Sequence, residues 1–126
     1  MDDRILTSLR DDISIIPHPN MWDLPGGGRE GDETPFECLR REVEEELSII
    51  IEESDIIWVK VYQGMVNPDK LSVFMVGKIS QELYDQIIFG DEGQGYKLMP
   101  VSEFLEDEQV IPQLRNRLKD YLESEN

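Results

Sequence analysis

The chain predicts an α+β fold, a mixed β-sheet packed between helices in an α/β/α sandwich-like arrangement. Three observations predict it. Runs rich in β-branched and aromatic residues recur at 4–9, 56–64 and 71–79. Residues 35–47 carry an apolar stripe at helical spacing behind a clear helix-start signature. The tail repeats an apolar residue every fourth position, at Val110, Leu114, Leu118 and Leu122.

Taken in order, "RILTSL" (4–9) alternates and reads as a short strand. "RDDISIIPHPN" (10–20) reads as loop, because Pro17 and Pro19 block regular structure. "MWDL" (21–24) suits a short strand, and "PGGGREGDE" (25–33) is loop, since four of its nine residues are glycine. Thr34 is a good N-cap, Pro35 takes the first helical position and Glu37 follows Thr34 by three. That predicts a helix from Pro35 to Leu47, burying Phe36, Leu39, Val43 and Leu47. "IIWVKVYQG" (56–64) and "LSVFMVGKI" (71–79) read as an antiparallel pair joined through "MVNPDK". "SQELYDQI" (80–87) suits a short helix, "FGDEGQG" (89–95) a loop and "YKLMP" (96–100) a strand. An amphipathic helix closes the fold.

The 126 residues suit one domain, 1–126, with one core. Twelve Lys and Arg against 28 Asp and Glu leave a net charge of −16. Binding a nucleic-acid polymer needs basic residues to neutralise phosphates, and no Lys/Arg run forms a patch. Anionic membrane surfaces are disfavoured for the same reason. A small anionic substrate is compatible if a divalent cation stands between it and the protein. The single cysteine, Cys38, excludes an internal disulfide, and one Cys with one His, His18, cannot build a Cys/His zinc site within the chain. No apolar run approaches a membrane span, and the acidic start "MDDRILTSLRDD" does not suit a signal peptide. A soluble cytoplasmic protein is expected.

"REVEEEL" (41–47) concentrates negative charge in little more than one helical turn. Glu42, Glu45 and Glu46 stand at i, i+3 and i+4, so their carboxylates share a face. Each such like-charge pair costs about 0.2–0.5 kcal/mol. Their place at the negative end of the helix dipole adds about 0.3–1 kcal/mol per charge at worst. Arg40 and Arg41 relieve part of this, leaving roughly 1–2 kcal/mol. One or two divalent cations would remove it, and an oxygen-only ligand set suits a hard ion such as Mg2+ or Mn2+. Taken alone, the run reads first as a solvated acidic face.

The residues upstream change that weighing. Gly27, five residues, Glu33, seven residues, then Arg41-Glu42-Val43-x-Glu45-Glu46-x-Ser48-Ile49 resembles the Nudix box. Every position matches except Ser48, where the family has Gly. The approach "WDLPGGG" is similar to that family too, so the resemblance is firm over 21–49 and looser elsewhere. It implies a Mg2+- or Mn2+-dependent hydrolase, in which water attacks a phosphorus of a nucleoside diphosphate linked to another group. By position, it implies Glu42, Glu45 and Glu46 as metal ligands, joined by the carbonyl of Gly26, with Glu33 ancillary. Arg41 would hold a glutamate by a bidentate pair; the plain alternative is an intrahelical surface pair. Gly27 is a candidate near substrate phosphate, and Arg10, at the end of the first strand, is another, although Arg10 reads first as a solvated strand end. Several branches draw the general base from a glutamate on a later loop, which points to Glu92 in "GDEGQG", with Asp91 or a box glutamate as competitors. His18 reads as an ordinary loop residue and Trp22 as core.

Two departures matter. Family Gly takes a left-handed conformation after the helix, which costs Ser48 about 1 kcal/mol. The family also usually has a strand before 4–9, so either an edge is exposed or a partner copy covers it in a homodimer. For substrate, branches acting on ADP-ribose or dinucleoside polyphosphates tend to carry Pro or Tyr fifteen to eighteen residues past the box. Here that region reads "GMVN" (64–67), which leaves the small MutT-like branch and a (deoxy)nucleoside triphosphate. The rival expectations are a non-catalytic nucleotide-binding module that keeps the fold, another substrate such as ADP-ribose, and a plain acidic interaction domain.

Overall fold

The structure is a computed structural model that describes residues 4–26, 29–64 and 69–124. In chain order its elements are β1 (Arg4–Leu9), β2 (Trp22–Asp23), α1 (Pro35–Leu47), a 3-10 turn (Glu53–Asp55), β3 (Ile56–Gln63), β4 (Leu71–Gly77), α2 (Gln81–Asp85), β5 (Gly95–Pro100), α3 (Val101–Glu106) and α4 (Pro112–Ser124). They fall into two compact units, Met1–Pro25 with Glu92–Asn126, and Gly26–Asp91.

In the first unit the strand order is β2-β1-β5, antiparallel throughout. β1 and β5 pair along their full length, from Arg4 opposite Pro100 to Leu9 opposite Gly95. β2 reaches only Ser8 and Leu9. β1 is therefore a central strand, flanked by β5 along its length and by β2 at Ser8 and Leu9. Beyond β2, a parallel bridge joins Trp22 to Val110, held by Trp22 N–H to Gln109 O at 2.7 Å and Ile111 N–H to Trp22 O at 3.2 Å. This is the mixed character expected of the sheet. It also removes Val110 from the tail helix, which starts at Pro112, a residue suited to a first helical position.

Met99, Phe104, Val110, Ile111, Leu114 and Leu118 are buried here. Thr7 is buried as well, and its hydroxyl donates to Lys97 O at 2.9 Å, so no hydroxyl is stranded among apolar side chains. The sequence pattern does not anticipate α3. Its six residues are too few for the 3.6 period to stand out, yet Val101, Phe104 and Leu105 fall at helical spacing and Phe104 is fully buried.

In the second unit β3 and β4 form the expected antiparallel pair, with a bulge between Ile56 and Trp58. Gly64 N–H closes the connection on Lys70 O at 2.7 Å; Met65–Pro68 lie outside the described residues. Phe74 is buried with Trp58 and Tyr62 edge-on to it, each 6.3 Å away between ring centres. Cys38, Val43, Leu47, Ile49, Ile51 and Ile87 complete the buried set. Ser80 caps α2, its hydroxyl accepting from Leu83 N–H at 3.0 Å. Among the described residues no helix is long and apolar enough to cross a membrane.

Candidate active site

The site begins with the two ends of α1. At its start the Thr34 hydroxyl accepts from Glu37 N–H at 3.1 Å, and the Glu37 carboxylate accepts from Thr34 N–H at 2.8 Å. This reciprocal box, with Pro35 behind it, fixes the first turn. Buried Val43 and Leu47 then set the rotation of the helix, so that Glu42, Glu45 and Glu46 lie off that stripe; Cys38, one turn before Glu42 on the same face, is buried with Arg41 Nη2 3.9 Å from its Sγ. At its end Ser48 takes φ 57° and ψ 32°, the left-handed conformation expected there, and its N–H reaches Glu44 O at 2.9 Å. Two further terminal carbonyls are satisfied from a distant loop: Ile88 N–H donates to Leu47 O at 3.0 Å and Gly90 N–H to Glu46 O at 2.8 Å.

Arg41 organises the carboxylates. Its Nε donates to Glu33 Oε2 at 2.8 Å and its Nη2 to Glu33 Oε1 at 3.1 Å, a bidentate pair. Its Nη1 donates to Glu42 Oε1 at 2.8 Å and lies 3.4 Å from both Glu45 oxygens. The bidentate partner is thus Glu33, ahead of the helix, rather than a glutamate of α1, while Glu42 and Glu45 share one nitrogen. Glu33 is set for this by a tight turn, in which its Oε1 also accepts from Glu30 N–H at 2.8 Å. Arg41's fork holds the Glu33 carboxyl below the usual carboxylate range, with the Glu30 N–H adding to it, and these carboxylates push the guanidinium's own pKa up. Burial pushes the Cys38 thiol up, which leaves it a poor nucleophile.

Glu46 is held differently. Gly26 N–H donates to Glu46 Oε2 at 3.2 Å, which joins the glycine-rich turn to the helix. Gly26 has φ 149°, a conformation that side chains disfavour, and this explains why glycine stands there. Gly27 lies outside the described residues. Among the described residues, no three His, Cys, Asp or Glu side chains already gather as a metal-holding group. Like-charge repulsion is instead met by Arg41 between Glu33, Glu42 and Glu45, and by the Gly26 amide at Glu46. The donor set itself fits a hard divalent cation, because Glu42, Glu45 and Glu46 offer only carboxylate oxygens from one helix and Glu45 is 60% exposed.

The remaining predicted residues lie in the first unit. Arg10 pairs with Asp23 Oδ2 at 3.0 Å and donates to Pro17 O at 2.9 Å, contacts that brace the 10–23 loop. Glu92 is exposed. The loop after it is tied down: Gly93 N–H donates to Asp11 Oδ2 at 3.3 Å, Gln94 N–H to Leu9 O at 2.8 Å, and Gln94 Nε2 to Arg10 O and Asn20 Oδ1 at 2.7 and 2.8 Å. His18 sits in the 10–20 loop at φ 50°. Trp22 is half-buried with Lys97 Nζ 4.8 Å over its ring. Glu30, 3.7 Å from the Arg41 Nε, and Gly90 are members of the site that pattern alone does not reveal. Neither has a sequence signal, since both depend on what the fold places beside α1.

An α+β chain whose capped helix presents clustered carboxylates, steadied by one arginine, has the architecture of an enzyme acting on phosphoanhydrides. A family model described as the NUDIX domain matches residues 3–121, and the chain belongs to the Nudix family, as a hydrolase acting on pyrophosphate bonds. Solved structures agree on the fold. A MutT protein from Methanosarcina mazei Go1 is 22% identical, covering 96% of this chain and 84% of that one, at a TM-score of 0.72. A Nudix hydrolase from Nitrosomonas europaea is also 22% identical, covering 98% and 65%, with the same score of 0.72. A bifunctional NMN adenylyltransferase/ADP ribose pyrophosphatase from Francisella tularensis, complexed with AMP and a manganese ion, is 21% identical at 0.72; this chain spans 38% of it. No curated protein matches the sequence.

Proposed function

We propose that this Nudix hydrolase uses Mg2+ or Mn2+ to cleave a (deoxy)nucleoside triphosphate to the monophosphate and pyrophosphate. The observation that carries the reading is the carboxylate face of α1, Glu42, Glu45 and Glu46, joined to the glycine-rich turn through Gly26 and Glu46. These three carboxylates, with the Gly26 carbonyl, would hold the cation. Bound there, it would supply neutralisation of charge on the phosphoryl oxygens and a more acidic water. Arg41 keeps Glu42 and Glu45 oriented and binds Glu33 in two places, so its role is positioning rather than contact with substrate. Glu33 sits behind the arginine as the ancillary carboxylate. Glu92 takes the proton of the attacking water, with Asp91 as the nearest competitor. Arg10 and Gly27 would face substrate phosphate, Arg10 with donors left over from its loop contacts.

The chain covers 84% of the Methanosarcina MutT protein, which supports the MutT-like reading. It also covers 88% of an Ap4A hydrolase from C. elegans, at 15% identity and a TM-score of 0.62, so the substrate panel must include dinucleoside polyphosphates. Release of phosphate or pyrophosphate from dNTPs, 8-oxo-dGTP, ADP-ribose, dinucleoside polyphosphates and nucleotide sugars tests the reading. Turnover is expected with Mg2+, none with EDTA, and Glu45→Gln is expected to lose about 100-fold or more while unfolding like the parent. Equal hydrolysis by parent and variant would sink it. A cytoplasmic location and a homodimer complete the proposal. The dimer is supported by one row of β3, where Ile57, Val59 and Val61 are all exposed.

A further inference from the structure

We propose that Gly90 is a positioning residue for Glu45 and Glu46, acting through a backbone seat at the C-terminal end of α1; the inference rests on reading these glutamates as cation ligands. A helix end leaves its last carbonyls unpaired and negative, which is a poor place for three carboxylates. Here the chain returns to that end and supplies donors. Ile88 N–H reaches Leu47 O at 3.0 Å and Gly90 N–H reaches Glu46 O at 2.8 Å, beside the Ser48 N–H on Glu44 O at 2.9 Å. Three amide dipoles thus face the negative pole on the turn that carries the glutamates.

The approach is close enough that position 90 has no room for a side chain. A Cβ there would lie 2.9 Å from Glu45 O, 3.4 Å from Glu46 O and 3.7 Å from Glu46 Cα. All three neighbours are backbone atoms of the two ligand residues, so no rotamer change relieves the contact. Gly90 is also not one of the positive-φ glycines, unlike Gly26, Gly31, Gly93 and Gly95. Its φ therefore does not call for glycine, and the need for glycine is steric. A substituent must push the 88–90 segment off the helix or push Glu45 and Glu46 out of place, and either outcome disturbs the turn that carries two adjacent ligands.

Gly77 is the control, because a Cβ there meets Asp55 O at 3.1 Å and Ile56 Cδ1 at 3.2 Å, a similar crowding at the end of β4. Mn2+ affinity, read from the electron paramagnetic resonance of the free ion, is compared in the parent, Gly90→Ala, Gly77→Ala and the Glu45→Gln/Glu46→Gln double variant, alongside thermal midpoints. Gly90→Ala is expected to weaken Mn2+ binding about 10–100-fold, while Gly77→Ala stays within about twofold whatever both lose in midpoint. Unchanged affinity in Gly90→Ala, or an equal loss in Gly77→Ala, overturns the assignment and leaves the cation site standing. Absence in the parent of any Mn2+ uptake that the double variant removes overturns the cation reading and this inference with it. A second measurement needs no variant: saturating Mg2+ is expected to slow amide exchange at Ile88 and Gly90 in the parent, because a ligand protects the arrangement it selects. Exchange that ignores Mg2+ counts against the seat even where Gly90→Ala fails to fold.

Discussion

Arg41 meets four carboxylates, those of Glu30, Glu33, Glu42 and Glu45. Its side chain is 22% exposed and that of Glu33 is 20% exposed, so the pair is shielded more than an ordinary surface bridge. The hydrogen bonds from Arg41, then that from Glu30 N–H, hold the Glu33 carboxyl below its ordinary 4.5. A depressed acid stabilises the fold only where it is charged. The contribution of this pair is therefore present above about pH 4.5 and is lost as pH falls through the lower folded value. Arg41→Gln is expected to return Glu33 toward 4.5 in a carboxyl-carbon NMR titration. The stability difference between parent and variant should shrink on acidification. Divalent-cation affinity should fall about 10–100-fold, as for other residues that orient ligands. An unshifted Glu33 titration would show that Arg41 does not hold it in solution.

The helix α1 is legible at both ends from the sequence, because its signals are local. A Thr-x-x-Glu box with Pro35 needs no tertiary partner to start a helix, and Pro35–Leu47 is where it forms. Removing the cap with Thr34→Ala should cost about 1 kcal/mol by urea unfolding. Ser48 holds the left-handed angles that family glycine supplies, so Ser48→Gly should stabilise by up to about 1 kcal/mol in the same assay. A loss on Ser48→Gly would mean that the serine side chain makes a compensating bond. By contrast α3 is not legible, because six residues flanked by Pro100 and lacking a side-chain cap give too short a pattern. The buried face of α1 follows its apolar stripe only in part: Val43 and Leu47 are buried, Phe36 and Leu39 are half-buried, and Cys38 takes an interior place that its neutral role in the pattern does not demand.

Across the whole molecule, the charge of −16 and the absence of a basic run argue for a cation between protein and nucleotide. The sheet expectation needs adjustment at this scale. β1 is paired on both sides at its end, so the exposed apolar row Ile57, Val59 and Val61 on β3 is the better ground for self-association. Sedimentation at micromolar concentration is expected to give twice the 14.6 kDa chain mass, and Val59→Glu/Val61→Glu to give the single chain. A parent that sediments as one chain removes the dimer from the proposal.

The sequence by itself determined the class, the position of α1, and the shared face of Glu42, Glu45 and Glu46. Each of these is written in spacing, caps and glycine placement, all short-range properties of the chain. Only the tertiary structure decided which carboxylate Arg41 grips most fully, that β1 is a middle strand, and that the 88–90 segment closes the end of the helix. Those depend on residues far apart in sequence meeting at hydrogen-bonding distance. No periodicity encodes that Gly90 lies against Glu45 and Glu46, because the constraint is the room left by another segment's backbone.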